Sequence, residues 1–451
     1  SMSHLEKAVS SIKDPLTKEL AEYLLKDIPN RCYQELQEGY ILRDIQSIRN
    51  HYAKSDENEF DIIINPPRIS DGFFSVIITA FDLPFLVDST LSCVARNQIE
   101  VFFASHKRIT TTETTLPNTS GSTVIYLILQ RTKDTPKDTD LNNDLTNVLT
   151  CLISSFRDWK SMENEMIAIS KNESILAEIK NHKEQSELDL FLKWLTDHNF
   201  IFLGSYKAQV NNEVQTPDPK SFKGICKSPV YNIPIHKSDN VTSTDKIINI
   251  SKWHKPSVIH RIAHMDWLII NHKDTSGNVV ETSNFIGFFT SSVYYQSTLS
   301  IPLIRGKVSN VITRYGEPRH SYNAKELVTA IEALSRGHIL QMTEDELYYM
   351  SVEMAKLTLS PKVRLFGRRD TFQDFANFIL FIPRNRFNSN TVKIAEEILC
   401  RKFNAQLSKK HTRIHQDNLA RIQITLKMMP NTISPTNIKE AEQEIDKATT
   451  P

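Results

Sequence analysis

Histidine, cysteine, arginine and a short acidic turn are the residues of this chain whose types and spacing invite chemistry. His254, His260 and His264 fall close together with Asp266 behind them. A zinc site wants two ligands on one helical face plus a third. This stretch reads instead as strand, where residues 260 and 264 merely share a sheet face, so structural histidines are the favoured reading. His411 and His415 repeat that spacing in another strand-like stretch and are read the same way. The five cysteines (Cys32, Cys93, Cys151, Cys226, Cys400) form no C-x-x-C pair. Their odd number suits a reducing, cytoplasmic setting with buried thiols. Basic residues gather at Arg364, Arg368 and Arg369 and again at Arg384 and Arg386. Guanidinium forks suit phosphate or carboxylate ligands, but salt bridges to Asp370 or Asp374 are the favoured expectation. Glu344-Asp345-Glu346 reads as a solvated helix start. The sharpest pattern is Asp82-Leu83-Pro84-Phe85-Leu86-Val87-Asp88-Ser89. It joins an acidic turn residue, a proline and a helix N-terminus, whose unpaired N–H groups can hold a carboxylate. An ordinary capped turn is the competing reading.

Glycine spacing excludes whole classes of chemistry. The chain has 11 glycines and no two lie closer than ten residues apart. A dinucleotide fingerprint needs G-x-G-x-x-G, because the backbone must approach the pyrophosphate with no Cβ between them; a P-loop needs glycines five apart. Neither can be written here, and no G-x-S-x-G elbow exists.

The elements that must position these residues follow from periodicity. The first 55 residues read as helices, with Leu5, Val9 and Ile12, then Leu20, Leu24 and Ile28 at helical spacing; Pro15 and Pro29 break the run, and a helix is expected from Arg31 to Tyr52. Phe73 to Ala80 reads as a buried strand and Phe85 to Arg96 as a helix. Glu100 to Thr110 and Ser122 to Arg131 read as strands joined by a hairpin loop over Thr111 to Gly121. A long helix follows over about 138–169. This β-α-β-β-α order is ferredoxin-like. From 183 to 345 the rhythm changes. Ser186 with Asp189 is expected to cap a helix, residues 211–250 to form an irregular excursion, and Phe200 to Val210, Ser257 to Ile262, Asp266 to Asn271 and Phe285 to Thr290 to form antiparallel strands before three closing helices. From Val363 the first pattern returns, with strands at Phe378 to Ile382, Ala405 to Ile414 and Leu419 to Met429, a helix over Thr391 to Phe403, and a last helix opened by Ser434-Pro435. A unit that stops at its last helix is expected to belong to a longer protein, and Ser1 before Met2 reads as a cloning remnant.

Composition agrees with a multi-domain globular chain. Of 451 residues, 40% are apolar and 24% charged, and 54 Lys and Arg against 53 Asp and Glu leave a formal charge of +1. That balance argues against nucleic-acid binding through bulk positive charge. No window approaches a membrane span and no signal-peptide profile opens the chain.

Several of these motifs together carry a resemblance. Asp82-Leu83-Pro84-Phe85-Leu86-Val87-Asp88-Ser89, Trp194-Leu195 with Asn199 to Gly204, Val258-Ile259-His260-Arg261, Phe285 to Ser291, Ile301-Pro302-Leu303-Ile304-Arg305 with Lys307-Val308, Arg368-Arg369-Asp370 and Ile382 to Phe387 occur in one order. In them the chain resembles the N-terminal region of the large bacterial NAD-specific glutamate dehydrogenases. The resemblance implies an α+β fold, with two ferredoxin-like βαββα (ACT-like) modules flanking a PAS-like antiparallel sheet module after an N-terminal helical segment. The boundaries expected are 1–55 for the helical segment, 56–180 for the first ACT-like module, 181–360 for the PAS-like module with its closing helices, and 361–451 for the second ACT-like module. It further implies a parent enzyme that converts L-glutamate, NAD and water to 2-oxoglutarate, ammonia and NADH. The catalytic core would lie outside this chain, which would hold no cofactor and no metal. The expected role is regulatory and assembly-forming, with the catalytic region of the same protein and sister subunits as partners, no nucleic acid and no membrane. The alternative is an architectural scaffold without ligand. ACT modules commonly bind amino acids at the turn between first strand and first helix, which makes Asp82, Asp88 and Ser89 the expected effector-binding residues. Two departures stand out: Phe85 occupies the place of the usual glycine, and Asn284 that of a family arginine.

Overall fold

A computed structural model of the chain describes residues 4–32, 38–53, 60–66, 69, 72–109, 122–171, 182–233, 236–237, 247–261, 263–370, 375–415, 418–428 and 434–451. The expected hairpin loop at 111–121 lies outside them, as do part of the 211–250 excursion, Asp374 and Met429. The chain divides into two compact units. The first holds Ser1–Arg157 with Ser228–Val230 and Ser257–Ile262; the second holds Asp158–Lys227, Tyr231–Pro256 and Ala263–Pro451.

The first unit opens with three helices, α1 (His4–Ser10), α2 (Pro15–Leu24) and α3 (Glu38–Ala53). Pro15 opens α2 rather than merely interrupting a run: Asp14 caps the helix by accepting the Thr17 N–H, and proline suits a first turn whose N–H has no partner. The strands β1 (Phe60–Asn65) and β2 (Phe73–Phe81) follow, then helix α4 (Leu86–Arg96), strands β3 (Ile99–Ile109) and β4 (Ser122–Arg131), and the long α5 (Leu141–Ser170), whose last residues count with the second unit. The sheet is antiparallel in the order β1-β2-β4-β3. Alternation sorts its side chains. Phe73, Ile77, Val124, Tyr126 and Ile128 share a core with Leu20, Leu24, Ile41, Ile45 and Ile48 of the helices. Phe74, Val76, Ile78, Ile125, Leu127 and Leu129, on the opposite face, are equally buried. Strands buried on both faces read as unbroken apolar runs, which is why this sheet was legible.

In the second unit α6 (His182–Trp194) precedes β5 (Phe200–Asn211), β6 (Val214–Pro217), β7 (Lys223–Gly224), β8 (His236–Lys237), β9 (Ile248–Pro256), β10 (His264–Lys273) and β11 (Val279–Phe289). These make a seven-stranded antiparallel sheet in the order β8-β6-β5-β11-β10-β9, with β7 on β5. One face carries Phe202, Ile250, Leu268, Ile270 and Phe285 into a core with Phe191, Leu192 and Leu195. On the other, Trp267 Nε1 donates to Asn284 Oδ1 (2.9 Å), Asn284 Nδ2 to Thr282 Oγ1 (3.0 Å) and Thr282 Oγ1 to Gln215 Oε1 (3.1 Å). Asn284 is thus a wholly buried linker of this polar row. Gly287 sits where β11 crosses β5 at a bulge, and a Cβ there would fall 1.8 Å from the Ile201 carbonyl oxygen, so only glycine fits.

Three expectations are corrected here. Ser186 does not start a helix, since α6 already runs from His182, and Asp189 pairs with Lys193 one turn on (2.9 Å). Part of the 211–250 stretch joins the sheet as β6, β7 and β8. Residues 257–261 are a tight loop between β9 and β10, because His260 takes a left-handed backbone (φ 64°) that no strand accommodates, and Ser257 Oγ closes a turn on the Ile259 N–H and carbonyl.

Helices α7 (Ile304–Tyr315), α8 (Tyr322–Glu332), α9 (Arg336–Gln341) and α10 (Glu344–Leu357) come next, then β12 (Arg364–Arg369), β13 (Phe375–Pro383), α11 (Ser389–Lys402), β14 (Ala405–His415), β15 (Leu419–Met428) and α12 (Pro435–Thr449). This sheet has the order β12-β13-β15-β14, the same as the first. Phe366, Ile379, Phe381 and Leu419 on one face share a core with α7, α8 and α10, while Phe378, Leu380, Ile422 and Ile424 on the other pack with α11 and α12. The order of elements and the two-sided cover of the first sheet recur here.

Candidate functional site

The sharpest acidic turn of the sequence becomes the junction of β2 and α4. Pro84 restricts the chain, and Phe85 stands at the helix N-cap in the left-handed region (φ 64°, ψ 13°), without a side-chain cap. A non-glycine residue there costs roughly 1–2 kcal/mol, so surrounding contacts must hold it. They are visible. The Phe85 ring lies against the His260 ring with centroids 3.9 Å apart, and the His260 N–H donates to Ser89 Oγ at 2.9 Å. His260 is itself left-handed (φ 64°). Burial pushes its imidazole pKa down, Arg261 adds to this, and Asp88 acts against both.

Phe85 also lines a pocket of about 280 Å³, walled by Asp82, Val87, Asp88, His106 and Arg108 among others. That is near the small end of the range for ligand pockets. Asp82 is already engaged: Oδ1 accepts from Thr123 Oγ1 at 3.2 Å and Oδ2 lies 3.1 Å from Arg108 Nε. With both partners well exposed, the ion pair contributes little, about 0–1 kcal/mol. Asp88 is exposed in the first turn of α4, where negative charge complements the helix dipole. The pocket therefore offers carboxylates from Asp82 and Asp88, a guanidinium from Arg108 and an imidazole from His106. A small molecule carrying both an ammonium and a carboxylate meets complementary groups there.

Of the three residues expected from sequence, the structure brings Asp82 and Asp88 to the pocket. Ser89 is placed behind the wall, wholly buried, with its hydroxyl taken up by the His260 N–H. Sequence reasoning missed Arg108 and His106, which reach the pocket from β3, and it missed the Phe85–His260 contact, which joins residues far apart in the chain. The glycine's replacement by Phe85 was the one local sign of it.

Elsewhere the chemistry-bearing residues serve structure. Among the described residues no group of three His, Cys, Asp or Glu is placed to hold a metal ion. Arg364 pairs with Glu442 (2.9 Å), Arg368 with Glu346 (2.5 Å) and Arg386 with Asp446 (2.7 Å), so three of the arginines find carboxylates other than those expected. Asp370, nearly fully buried, accepts from Ser251 Oγ (2.5 Å) and the Lys252 N–H (3.3 Å). Among the described residues no helix is long and apolar enough to cross a membrane.

These features define an α+β chain with two equivalent sheets and a small charged pocket at a strand–helix turn. Comparison with known proteins narrows the class. Residues 364–451 match the family model for the glutamate dehydrogenase ACT2 domain, and residues 301–359 the model for glutamate dehydrogenase helical motif 1. The NAD-specific glutamate dehydrogenase of Pseudomonas aeruginosa is 30% identical over 271 residues, covering 57% of this chain and 17% of that protein. Its counterpart in Halomonas elongata is 28% identical over 278 residues, covering 59% of this chain and again 17% of the relative. A solved structure, the periplasmic sensory domain of the Campylobacter jejuni chemoreceptor Tlp1, is matched with 12% identity over 64% of this chain and 99% of that one, at a TM-score of 0.18 that carries no argument. These matches support a likeness to the large bacterial NAD-specific glutamate dehydrogenases. It spans about a sixth of the length of the curated relatives it matches.

Proposed function

We propose that this chain is the N-terminal regulatory and assembly region of an NAD-specific glutamate dehydrogenase that oxidatively deaminates L-glutamate to 2-oxoglutarate and ammonia. In this reading the catalytic core and the NAD site lie outside the chain. The glycine spacing supports this, because a phosphate-cradling loop needs glycines that these residues do not supply. The two sheets act as ferredoxin-like, ACT-like modules and the seven-stranded sheet as a PAS-like module. Their shared order, β1-β2-β4-β3 and β12-β13-β15-β14, favours the module pair. The catalytic region of the same protein and sister subunits are the partners, in the cytoplasm.

The observation that carries the regulatory half is the pocket at the β2–α4 turn, where opposite charges line one small cavity. Its ligand is a small amino acid, with Asp88 receiving the ammonium and Arg108 the carboxylate. A thermal-shift panel of amino acids, 2-oxo acids and nucleotides tests this. A ligand at 100 times its dissociation constant adds roughly 2.7 kcal/mol of stability. An amino acid should raise the melting temperature, and Asp88→Ala should abolish that rise. A rise that survives Asp88→Ala removes this pocket from consideration. One observation favours the second reading, a scaffold without ligand: Asp82 and Arg108 already satisfy each other. A flat panel would support it.

A further inference from the structure

We propose that Phe85 is a hinge that couples the pocket to the segment 257–261, so that filling the pocket changes how firmly that segment is held. This rests on the reading that the pocket takes a ligand and adds how its occupancy is read out. Phe85 both lines the pocket and lies against the His260 ring, with centroids 3.9 Å apart. Both residues hold left-handed backbones at φ 64°, a conformation that persists in non-glycine residues only while contacts enforce it. The two strained residues brace each other, so relaxation of one removes the support of the other. A second link runs in parallel. The His260 N–H is bonded to Ser89 Oγ, and Ser89 N–H to the Phe85 carbonyl (2.9 Å), so the loop's anchor and the hinge share the first turn of α4.

The segment 257–261 is itself held firmly. Ile259 is buried, and Ser257 Oγ bonds to both backbone polar groups of Ile259. A segment fixed this tightly moves as a piece. An occupant that pushes on Phe85 therefore meets two discrete outcomes, the stacked pair kept or the pair broken, and a two-state element of that kind is what a regulatory site requires.

Hydrogen exchange of the whole chain, read by mass spectrometry, tests the hinge without needing the natural ligand. Val87→Trp places a bulky ring in the pocket from a half-exposed position and serves as a built-in occupant; Asp88→Trp does so from an exposed one. In either variant the exchange rate of the peptide carrying the His260 amide should change about tenfold or more. Phe85→Gly added to the same variant should remove that difference. If the segments lining the pocket change while 257–261 exchanges as in the unsubstituted chain, the hinge is refuted. The two readings fail separately. A flat ligand panel with a responsive 257–261 removes the effector and keeps the hinge. An amino acid that raises the melting temperature while 257–261 stays unresponsive does the reverse.

Discussion

Phe85 occupies a backbone conformation that costs most side chains energy, and it does so in the wall of the acidic turn that is the sharpest pattern of the sequence. Two effects compete there. The left-handed φ disfavours any residue with a Cβ by roughly 1–2 kcal/mol, while the contact with His260 returns part of that through an aromatic pair. Substitution separates them. Phe85→Ala keeps the strain and loses the ring, whereas Phe85→Gly loses both. The glycine variant is expected to be more stable than the alanine variant by roughly 1 kcal/mol, against a background in which glycine ordinarily loses more entropy on folding. Urea unfolding of the two variants side by side measures the difference, and an alanine variant at least as stable as glycine would show that the turn relaxes away from φ 64°. Asp82 and Asp88 could be read from sequence because they stand in one short segment with a proline and a helix start. Arg108, His106 and His260 could not, because no local pattern ties a strand residue to a turn that only tertiary folding brings beside it.

Between elements, the strongest unexplained group in the sequence is Asp44. No motif of the sequence marks it, yet it is buried and holds α3 against the sheet: Tyr126 Oη donates to its Oδ2 at 2.8 Å and Asn65 Nδ2 to its Oδ1 at 3.1 Å. Burial pushes its carboxyl pKa up, and the hydrogen bonds from Ser75, Tyr126 and Asn65 offset only part of this. The sign follows from linkage. Because the folded carboxyl binds its proton more tightly than the unfolded one, this contribution is fully present below the unfolded value of about 3.9 and is lost as pH rises through the folded value. Asp44→Asn should flatten that part of the stability-against-pH curve, measured by denaturant midpoints from pH 3 upward; an unchanged slope would show that the carboxyl does not titrate in this way. Asp44→Ala, which strands the Tyr126 and Asn65 donors, should cost about 1–3 kcal/mol. Strands such as β2, β4 and β13 were legible because burial on both faces leaves unbroken runs of β-branched and aromatic residues. The loop at 257–261 was misread because Val258-Ile259 looks like strand when the left-handed turn at His260 is invisible.

Across the molecule, one plan is used twice: a sheet of order β1-β2-β4-β3 or β12-β13-β15-β14 is covered on one face by the helices that precede it and buried on the other as well. The repeat was legible as a recurring rhythm, but the role of residues 301–359 was not, because amphipathic helices do not declare which sheet receives them; their apolar residues share a core with Phe366, Ile379 and Phe381. Within the second unit the middle sheet is tied to β12 by polar contacts as well. Asp370 at the end of β12 accepts from Ser251 and Lys252 of β9, and Arg368 Nη2 donates to the Gln341 carbonyl at 2.8 Å. An acceptor this deeply buried is expensive to delete, since its donors stay behind without it. Asp370→Ala should therefore destabilise the second unit by about 2–4 kcal/mol, more than a surface charge loss would. The readout is built in: Trp194, Trp253 and Trp267 lie well inside the second unit, so in a Trp159→Phe background tryptophan fluorescence follows its unfolding. A fluorescence midpoint unmoved by Asp370→Ala would mean that the Asp370 contacts contribute nothing measurable, and that apolar packing with the Arg368–Gln341 contact holds the middle sheet and β12 together.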